Sequence, residues 1–274
     1  MRRLFSIIPA LLLACATPMA AFAAEQAAMT EGEAADVQAA LDRGLDLYNY
    51  DQAAWHTTDA MIEDVPDPAG AGIRGWVVVP VEQGWQVTYW KPDGDGFAGV
   101  YSAVWDGKKV VDRQLLSGNA ARLDEAQIAL VRAGRVPDLS GLQRCTDKPF
   151  NSVIMPSGKP DGSIYVYYLT PQTTLDAIPL GGHYRFEVLD GQVVGQRGFT
   201  KSCIALALRP QTKDAAKPEA LVISHLLDPV PTEVHVFSML VAHLPLYVVT
   251  SQNKTLWSIE ASGGVPAMRA IERN

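Results

Sequence analysis

The feature that most restricts the fold is a series of short β-type segments that occurs twice, at residues 75–113 and 150–197. Each series has a strand segment ending near a proline, an aromatic-rich strand segment, a longer loop and two strand segments joined by Asp-Gly. An Asp-Gly pair between alternating apolar segments is a strong hairpin signal. The sequence therefore predicts two β-meanders. Their offset of about 80 residues indicates either an internal duplication or the likeness that any two meanders share.

Three further segments have helical periodicity. Residues 32–48 and 123–133 place apolar side chains three and four apart and carry acids near their starts. Residues 232–244 fit a helix or a strand, and the Thr-Glu pair at their start favours the helix. Residues 49–72, which contain two prolines, are predicted to connect the first helix to the first strand. The predicted fold class is α+β, with two antiparallel or mixed β-meanders packed by two or three helices.

The chain is predicted to consist of a leader and two globular units. A loop near residues 136–144 contains proline, glycine and serine, which are typical of a boundary. It separates an N-terminal unit at residues 24–135, with a helix, a meander and a second helix, from a C-terminal α+β unit at residues 145–274.

Residues 1–23 have the organisation of a cleavable secretory signal peptide. Two arginines precede an apolar run over residues 4–16, and the Ala-Phe-Ala at residues 21–23 matches a signal-peptidase site. The chain is therefore predicted to be an exported bacterial protein, periplasmic or secreted. An alternative interpretation takes the segment before Cys15 as a lipobox, which would make Cys15 a lipidated N-terminus.

Charge argues against a nucleic-acid partner, and hydropathy argues against a membrane-spanning segment in the mature chain. The chain has 23 basic and 30 acidic residues, and loss of the leader removes two arginines and no acid, which leaves a net charge of −9. A mildly acidic chain without a basic cluster argues against nucleic acid as a partner. Beyond the leader, no segment is long and apolar enough to predict a transmembrane helix.

Two cysteines remain after the leader is removed, Cys145 and Cys203. Neither lies in a C-x-x-C motif or beside a histidine, which argues against a metal thiolate or a reactive nucleophile. An even pair in an oxidising compartment predicts a disulfide. This disulfide would close the loop between the two cysteines, which should stabilise the fold by about 4 kcal/mol according to the chain-entropy model.

The common catalytic and cofactor motifs fail in their context. Residues 70–75 match G-x-G-x-x-G, but a strand segment follows where a dinucleotide site needs a helix. The acids at residues 93–95 lack the bidentate acid of a calcium loop and predict a turn. Adjacent Ser224 and His225 point to opposite faces of a strand, which disfavours a triad with Asp228. Several aromatic residues either line a ligand groove or pack in the core: Trp76, Trp85, Trp90, Trp105, Tyr165, Tyr167 and Tyr168.

Residues 224–260 carry one family resemblance. They contain a strand segment with a histidine, a short loop, a Thr-x-x-His helix start and a strand segment PLYVVT. This order resembles the end of a bacterial JAB/MPN-type metallopeptidase domain, in which a strand ends in H-x-H-P and S-x-x-D opens the helix. The resemblance implies a zinc site with nitrogen and oxygen ligands and an open position for water.

The positions that match this family carry only part of its metal site. His225 corresponds to the first metal-binding histidine, Leu227 stands at the second, and His235 stands at the aspartate. Glu187 is the candidate for the catalytic glutamate by strand order. The resemblance implies a degenerate domain in which His225, His235 and the nearby Asp228 form a metal or binding cluster. The other interpretation is that both histidines are ordinary residues of a strand and a helix start.

Two functions follow as expectations. The first is a non-catalytic binding or accessory module that meets a protein or small-molecule partner through aromatic strand faces or the His225–His235 region, with no cofactor. The alternative is a divergent JAB-like hydrolase of peptide or isopeptide bonds, which requires zinc.

Overall fold

The computed structural model describes residues 27–209 and 216–273. The predicted signal peptide and Cys15 lie outside these residues. Within them the chain forms the predicted α+β fold. The helices are α1 (Glu31–Asp64), α2 (Glu125–Ala133) and α3 (Glu233–Ala242), with a 3₁₀ turn at Gly118–Ala121. The strands are β1 (Gly75–Val81), β2 (Gly84–Asp93), β3 (Gly96–Trp105), β4 (Val110–Leu115), β5 (Asn151–Pro156), β6 (Ile164–Leu169), β7 (Ala177–Pro179), β8 (Tyr184–Leu189), β9 (Gln192–Gly198), β10 (Ala205–Ala207), β11 (Leu221–His225), β12 (Leu246–Thr250), β13 (Thr255–Ser262) and β14 (Val265–Arg273).

The two predicted meanders are separate four-stranded sheets. The first meander has the order β1-β2-β3-β4, and the second meander has the order β5-β6-β8-β9. All neighbouring strands in both are antiparallel. The second meander differs by the insertion of β7, which leaves the sheet and pairs with β10.

Both Asp-Gly pairs form the predicted hairpins, with different loop lengths. In the second meander Leu189 pairs directly with Gln192, so Asp-Gly is a two-residue turn. In the first meander the Asp106 carboxylate accepts hydrogen bonds from the backbone N–H groups of Lys108 and Lys109, both at 2.8 Å, which closes a longer loop. The acids at residues 93–95 also form a turn, between β2 and β3.

The C-terminal sheet has the order β11-β12-β13-β14. Its first pair is parallel, and α3 makes the crossover that parallel strands need. The remaining pairs are antiparallel. Strand β14 extends the sheet beyond residue 260, where the sequence analysis placed no strand. This strand lies at the sheet edge, where Pro266 is tolerated although it has no N–H to donate.

Helix α1 is much longer than predicted. The expectation that residues 49–72 form a connection is wrong for residues 49–64, which continue the helix. That segment contains no glycine or proline, and both prolines of the predicted connection come after the helix ends. A capping box between Thr30 and Glu33 begins the helix. Burial of one face along the whole length stabilises the extension.

Helix α1 lies at the centre of the largest core cluster. This core joins Leu47 of α1, Val87 and Tyr101 of the first meander, Tyr167 of the second meander and Val234 of α3. All five side chains are buried. Residues from both predicted units therefore contribute to one continuous apolar core.

Helices α1 and α3 approach each other closely at Gly44. A Cβ atom on Gly44 would lie 2.5 Å from Cβ of Val236 and 2.8 Å from the backbone oxygen of Glu233. We expect Gly44→Ala to lower the free energy of unfolding by about 1–3 kcal/mol, because the helices must separate. Gly32→Ala, in the same helix with nothing within 4 Å, should be neutral or gain up to about 1 kcal/mol. Chemical denaturation of both variants tests this contact, and equal stabilities would contradict it.

The predicted disulfide between Cys145 and Cys203 is present, with a Cα–Cα distance of 5.4 Å. It ties the segment before β5 to the segment before β10. Gly182 packs against it, where a Cβ atom would lie 2.4 Å from Sγ of Cys145. Across the described ranges, no helix is long and apolar enough to cross a membrane.

Candidate functional site

The structure brings the three residues of the predicted metal or binding cluster together. His225 ends β11, Asp228 follows in the loop and His235 lies in the first turn of α3. Nε2 of His225 lies 2.8 Å from Oδ2 of Asp228. The imidazole rings of His225 and His235 are in contact, with centroids 4.7 Å apart and planes at 80°.

Arg197 of β9 completes this cluster and was not predicted. One of its terminal nitrogens donates to Oδ2 of Asp228 at 2.8 Å. Burial opposes ionisation of Asp228, but the hydrogen bonds from His225 and Arg197 lower its pKa to about 2. Because the carboxylate is ionised and only accepts, Nε2 of His225 carries the proton of their hydrogen bond.

His235 is fixed by the start of its own helix. Its Nδ1 accepts the backbone N–H of Thr232 at 3.0 Å and lies 3.0 Å from the Thr232 hydroxyl. Burial and the neighbouring His225 lower the pKa of His235 to about 3, so the ring is neutral at physiological pH. His235 therefore acts as a capping residue of α3.

These residues do not fit the zinc site that the family resemblance implies. Asp228 is held by His225 and Arg197, Nδ1 of His235 is held by Thr232, and the Arg197 guanidinium would repel a cation. Within residues 27–209 and 216–273, no three His, Cys, Asp or Glu side chains form a group that could hold a metal ion. Glu187 instead contacts Lys159 and Ser163.

A second buried ionic group lies at the neighbouring position of α3. Glu233 is only 1% exposed and forms an ion pair with Arg185 of β8. Its Oε1 also accepts from the Tyr167 hydroxyl at 3.2 Å and lies 3.6 Å from Nε of Arg43. The sequence interpretation assigned Glu233 only to the helix start, and no local pattern indicated its distant partners.

A cleft of about 530 Å³ lies between α1 and the segment that joins β6 to β7. Helix α1 supplies Asp51, Trp55 and Thr58 at helical spacing on one wall. The opposite wall is the 170–175 segment, and α3 closes one side. The lining residues are Asp51, Gln52, Ala54, Trp55, Thr58, Trp76, Asn151, Ser152, Leu169, Thr170, Gln172, Thr173, Thr174, Leu175, Ile178, Pro179, His183, Phe237 and Val241.

The cleft combines exposed apolar side chains with one carboxylate. Trp55 is 59% exposed and Leu175 is 74% exposed, although both are large apolar residues. Asp51 is enclosed by protein atoms on most sides but keeps an accessible surface on the cleft. Burial raises the pKa of Asp51 to about 6, against a weak opposing hydrogen bond from the Gln52 amide at 3.4 Å.

Comparisons with protein-family models, curated proteins and solved structures found no significant match.

His183 is the one histidine in the described cleft wall, and both its ring nitrogens are occupied. Nδ1 accepts the backbone N–H of Thr170 at 3.1 Å, and Nε2 lies 3.2 Å from the backbone oxygen of Pro179. Burial lowers its pKa to about 4. His183 therefore shapes the cleft as a neutral residue that holds two segments of backbone.

The aromatic residues singled out in the sequence divide between core and cleft. Trp76 lines the cleft, and Trp105 stacks on His56 with ring centroids 3.9 Å apart. The sequence analysis did not identify Asp51, Trp55 and Leu175 as candidate site residues, although they line the cleft. The buried members of the set pack in the cores: Trp90, Tyr165, Tyr167 and Tyr168.

Proposed function

We propose that this protein is an exported, non-catalytic binding module whose binding site is the cleft along α1. The observation that carries the proposal is the cleft itself. Its volume of about 530 Å³ lies in the range of ligand sites, which are typically about 300–1,000 Å³ with apolar walls and a few polar groups. Exposed Trp55 and Leu175 at this cleft offer apolar surface that a ligand would cover.

The hydrogen bonding of His183 and of Asp228 supports binding rather than catalysis. A nucleophile or general base needs a free lone pair within reach of a reacting atom. His183 has both nitrogens engaged, and Asp228 accepts hydrogen bonds from both His225 and Arg197. These hydrogen bonds position backbone and side chains.

Export to the periplasm or the medium is part of the proposal. It is supported by the leader-like residues 1–23 and by the disulfide, since disulfides persist in oxidising compartments. The mass of the protein recovered from the periplasm or the medium tests it. A chain beginning near residue 24 is expected. A full-length chain would contradict export, and a chain that begins at a lipidated Cys15 would contradict cleavage near residue 24.

The neutral fluorophore N-phenyl-1-naphthylamine tests the cleft as a binding site. We expect it to bind with enhanced emission, and Leu175→Asp to weaken binding by about tenfold, because about 1.4 kcal/mol of apolar contact is lost. Leu115→Asp is the matched control, since Leu115 is 67% exposed on β4 and outside the cleft lining. Equal effects of the two substitutions, or no binding by the wild type, would contradict the proposal.

A further inference from the structure

We propose that the cleft selects a cationic amine joined to an apolar body, with the Asp51 carboxylate as its counter-ion. This inference rests on the proposed binding function and deepens it by naming the ligand class. It follows from three properties of the cleft: the sign of its charge, the aromatic surface in the same cleft and the neutral polar side chains among its lining residues.

The first property is a carboxylate without a cationic partner. Of the described residues that line the cleft, Asp51 alone carries a full charge at neutral pH, since the lining contains no lysine or arginine and His183 is neutral. Among the described residues its hydrogen-bond partner is the amide of Gln52, at a long 3.4 Å. A buried carboxylate without a counter-ion is unfavourable, and a ligand cation would relieve that cost.

The second property is the pair of indole rings in the same cleft as the carboxylate. Trp55 follows Asp51 by one helical turn on the same face of α1, and Trp76 projects from β1 into the same cleft. The faces of indole rings attract cations and disfavour anions. Charge and aromatic surface therefore favour the same sign of ligand.

The third property is the set of neutral polar side chains around the cleft. Asn151 and Ser152 of β5, which carry an amide and a hydroxyl, are among the residues that line the cleft. An ammonium group has three N–H donors, so one carboxylate leaves donors that neutral oxygens satisfy. The apolar body of the ligand would cover Leu175 and Phe237 on the remaining walls.

Three probes of similar shape and different charge test whether the cleft prefers a cation. They are phenethylamine, 2-phenylethanol and phenylacetate, and their binding is measured by calorimetry at pH 7.5. We expect phenethylamine to bind at least about tenfold more tightly than the alcohol. Phenylacetate should bind more weakly than either, since the cleft already holds a negative charge.

The substitution Asp51→Asn removes the negative charge from the cleft and keeps the size of the side chain. It should abolish the preference for the amine, which is measured as the ratio of the affinities for phenethylamine and 2-phenylethanol in the same variant. Folding should be retained, because burial disfavours the ionised form of Asp51 and asparagine is a neutral isostere. Asp59→Asn, an exposed carboxylate on the same helix, is the control and should keep the preference.

Amine affinity should also fall in acid. Phenethylamine stays protonated between pH 7.5 and 5, whereas Asp51 has a pKa of about 6 in the free protein, so binding should weaken by roughly tenfold over this range. Among the described residues, His183 is the other titratable group that lines the cleft, and Tyr48 interacts electrostatically with Asp51. The pKa of His183 is about 4, and burial raises that of Tyr48 above 10, so neither changes charge here. The Asp51→Asn variant should show no such dependence.

The possible failures are distinguishable. Absence of binding by all three probes would contradict the binding function and the inference together. Equal binding of amine and alcohol, or an amine preference that survives in Asp51→Asn, would overturn the inference and leave the cleft as a site for neutral ligands.

Discussion

Replacing Glu233 by glutamine should lower the free energy of unfolding by about 3 kcal/mol, because it removes the counter-ion of a buried ionic group. Glu233 is 1% exposed and pairs with Arg185, with Tyr167 and Arg43 beside the same oxygen. Without the carboxylate, Arg185 keeps a desolvated positive charge that glutamine cannot neutralise. Urea denaturation at pH 7 measures the loss.

Glu125→Gln is the matched control for Glu233→Gln. Both residues follow an N-cap and begin a helix, so both substitutions remove the same favourable interaction with the helix dipole, worth up to about 1 kcal/mol. Glu125 is exposed, and no described residue forms a buried hydrogen bond or ion pair with its carboxylate, so its loss should stay within that amount. Similar losses of unfolding free energy in both variants would contradict this prediction, because the buried ion pairs of Glu233 would then add no stability beyond its interaction with the helix dipole.

Removal of the disulfide should cost a similar amount. The double variant Cys145→Ser/Cys203→Ser should be less stable by about 4 kcal/mol, because the unfolded chain regains the freedom of a closed loop spanning a sequence separation of 58 residues. The comparison is urea denaturation of the oxidised wild type, the reduced wild type and the double variant.

The reduced wild type and the double variant should agree closely, and added reductant should leave the double variant unchanged. A double variant as stable as the oxidised wild type would contradict the contribution assigned to this crosslink. It would also remove one support for the proposed export, because the fold would then not depend on an oxidising compartment.

Local signals in the sequence were sufficient for most of the fold. The Asp-Gly pair before Gln192 and the apolar alternation around it determine a hairpin within a few residues. The N-cap at Asp124 similarly begins α2. The pairing of Cys145 with Cys203 needed only a count of cysteines. Each of these interactions is either close in sequence or has no alternative partner.

The length of α1 was mispredicted because local signals for a helix end were read too early. The prolines at positions 66 and 68 do end the helix, but they act only on the residues next to them. Placing Asp51 in a connection concealed the stripe formed by Asp51, Trp55 and Thr58, which becomes a single face once the helix is extended.

The candidate sites depend on residues far apart in the chain. The neighbourhood of His225, Asp228 and His235 follows from a short loop between a strand and a helix, and the sequence indicated it. Arg197 and the partners of Glu233 come from other strands and from α1. The cleft likewise joins α1 to a segment more than a hundred residues later. No local periodicity encodes such contacts.

The tryptophan indole N–H signals provide the most direct test of the cleft as the binding site. The chain has six tryptophans, of which Trp55 and Trp76 line the cleft. During titration with phenethylamine, followed by ¹H–¹⁵N correlation spectra, these two indole signals should shift together and saturate. The other four should remain in place. Saturable shifts at Trp85, Trp90, Trp105 or Trp257 without shifts at Trp55 and Trp76, or no shifts at any indole, would contradict a ligand site in the cleft.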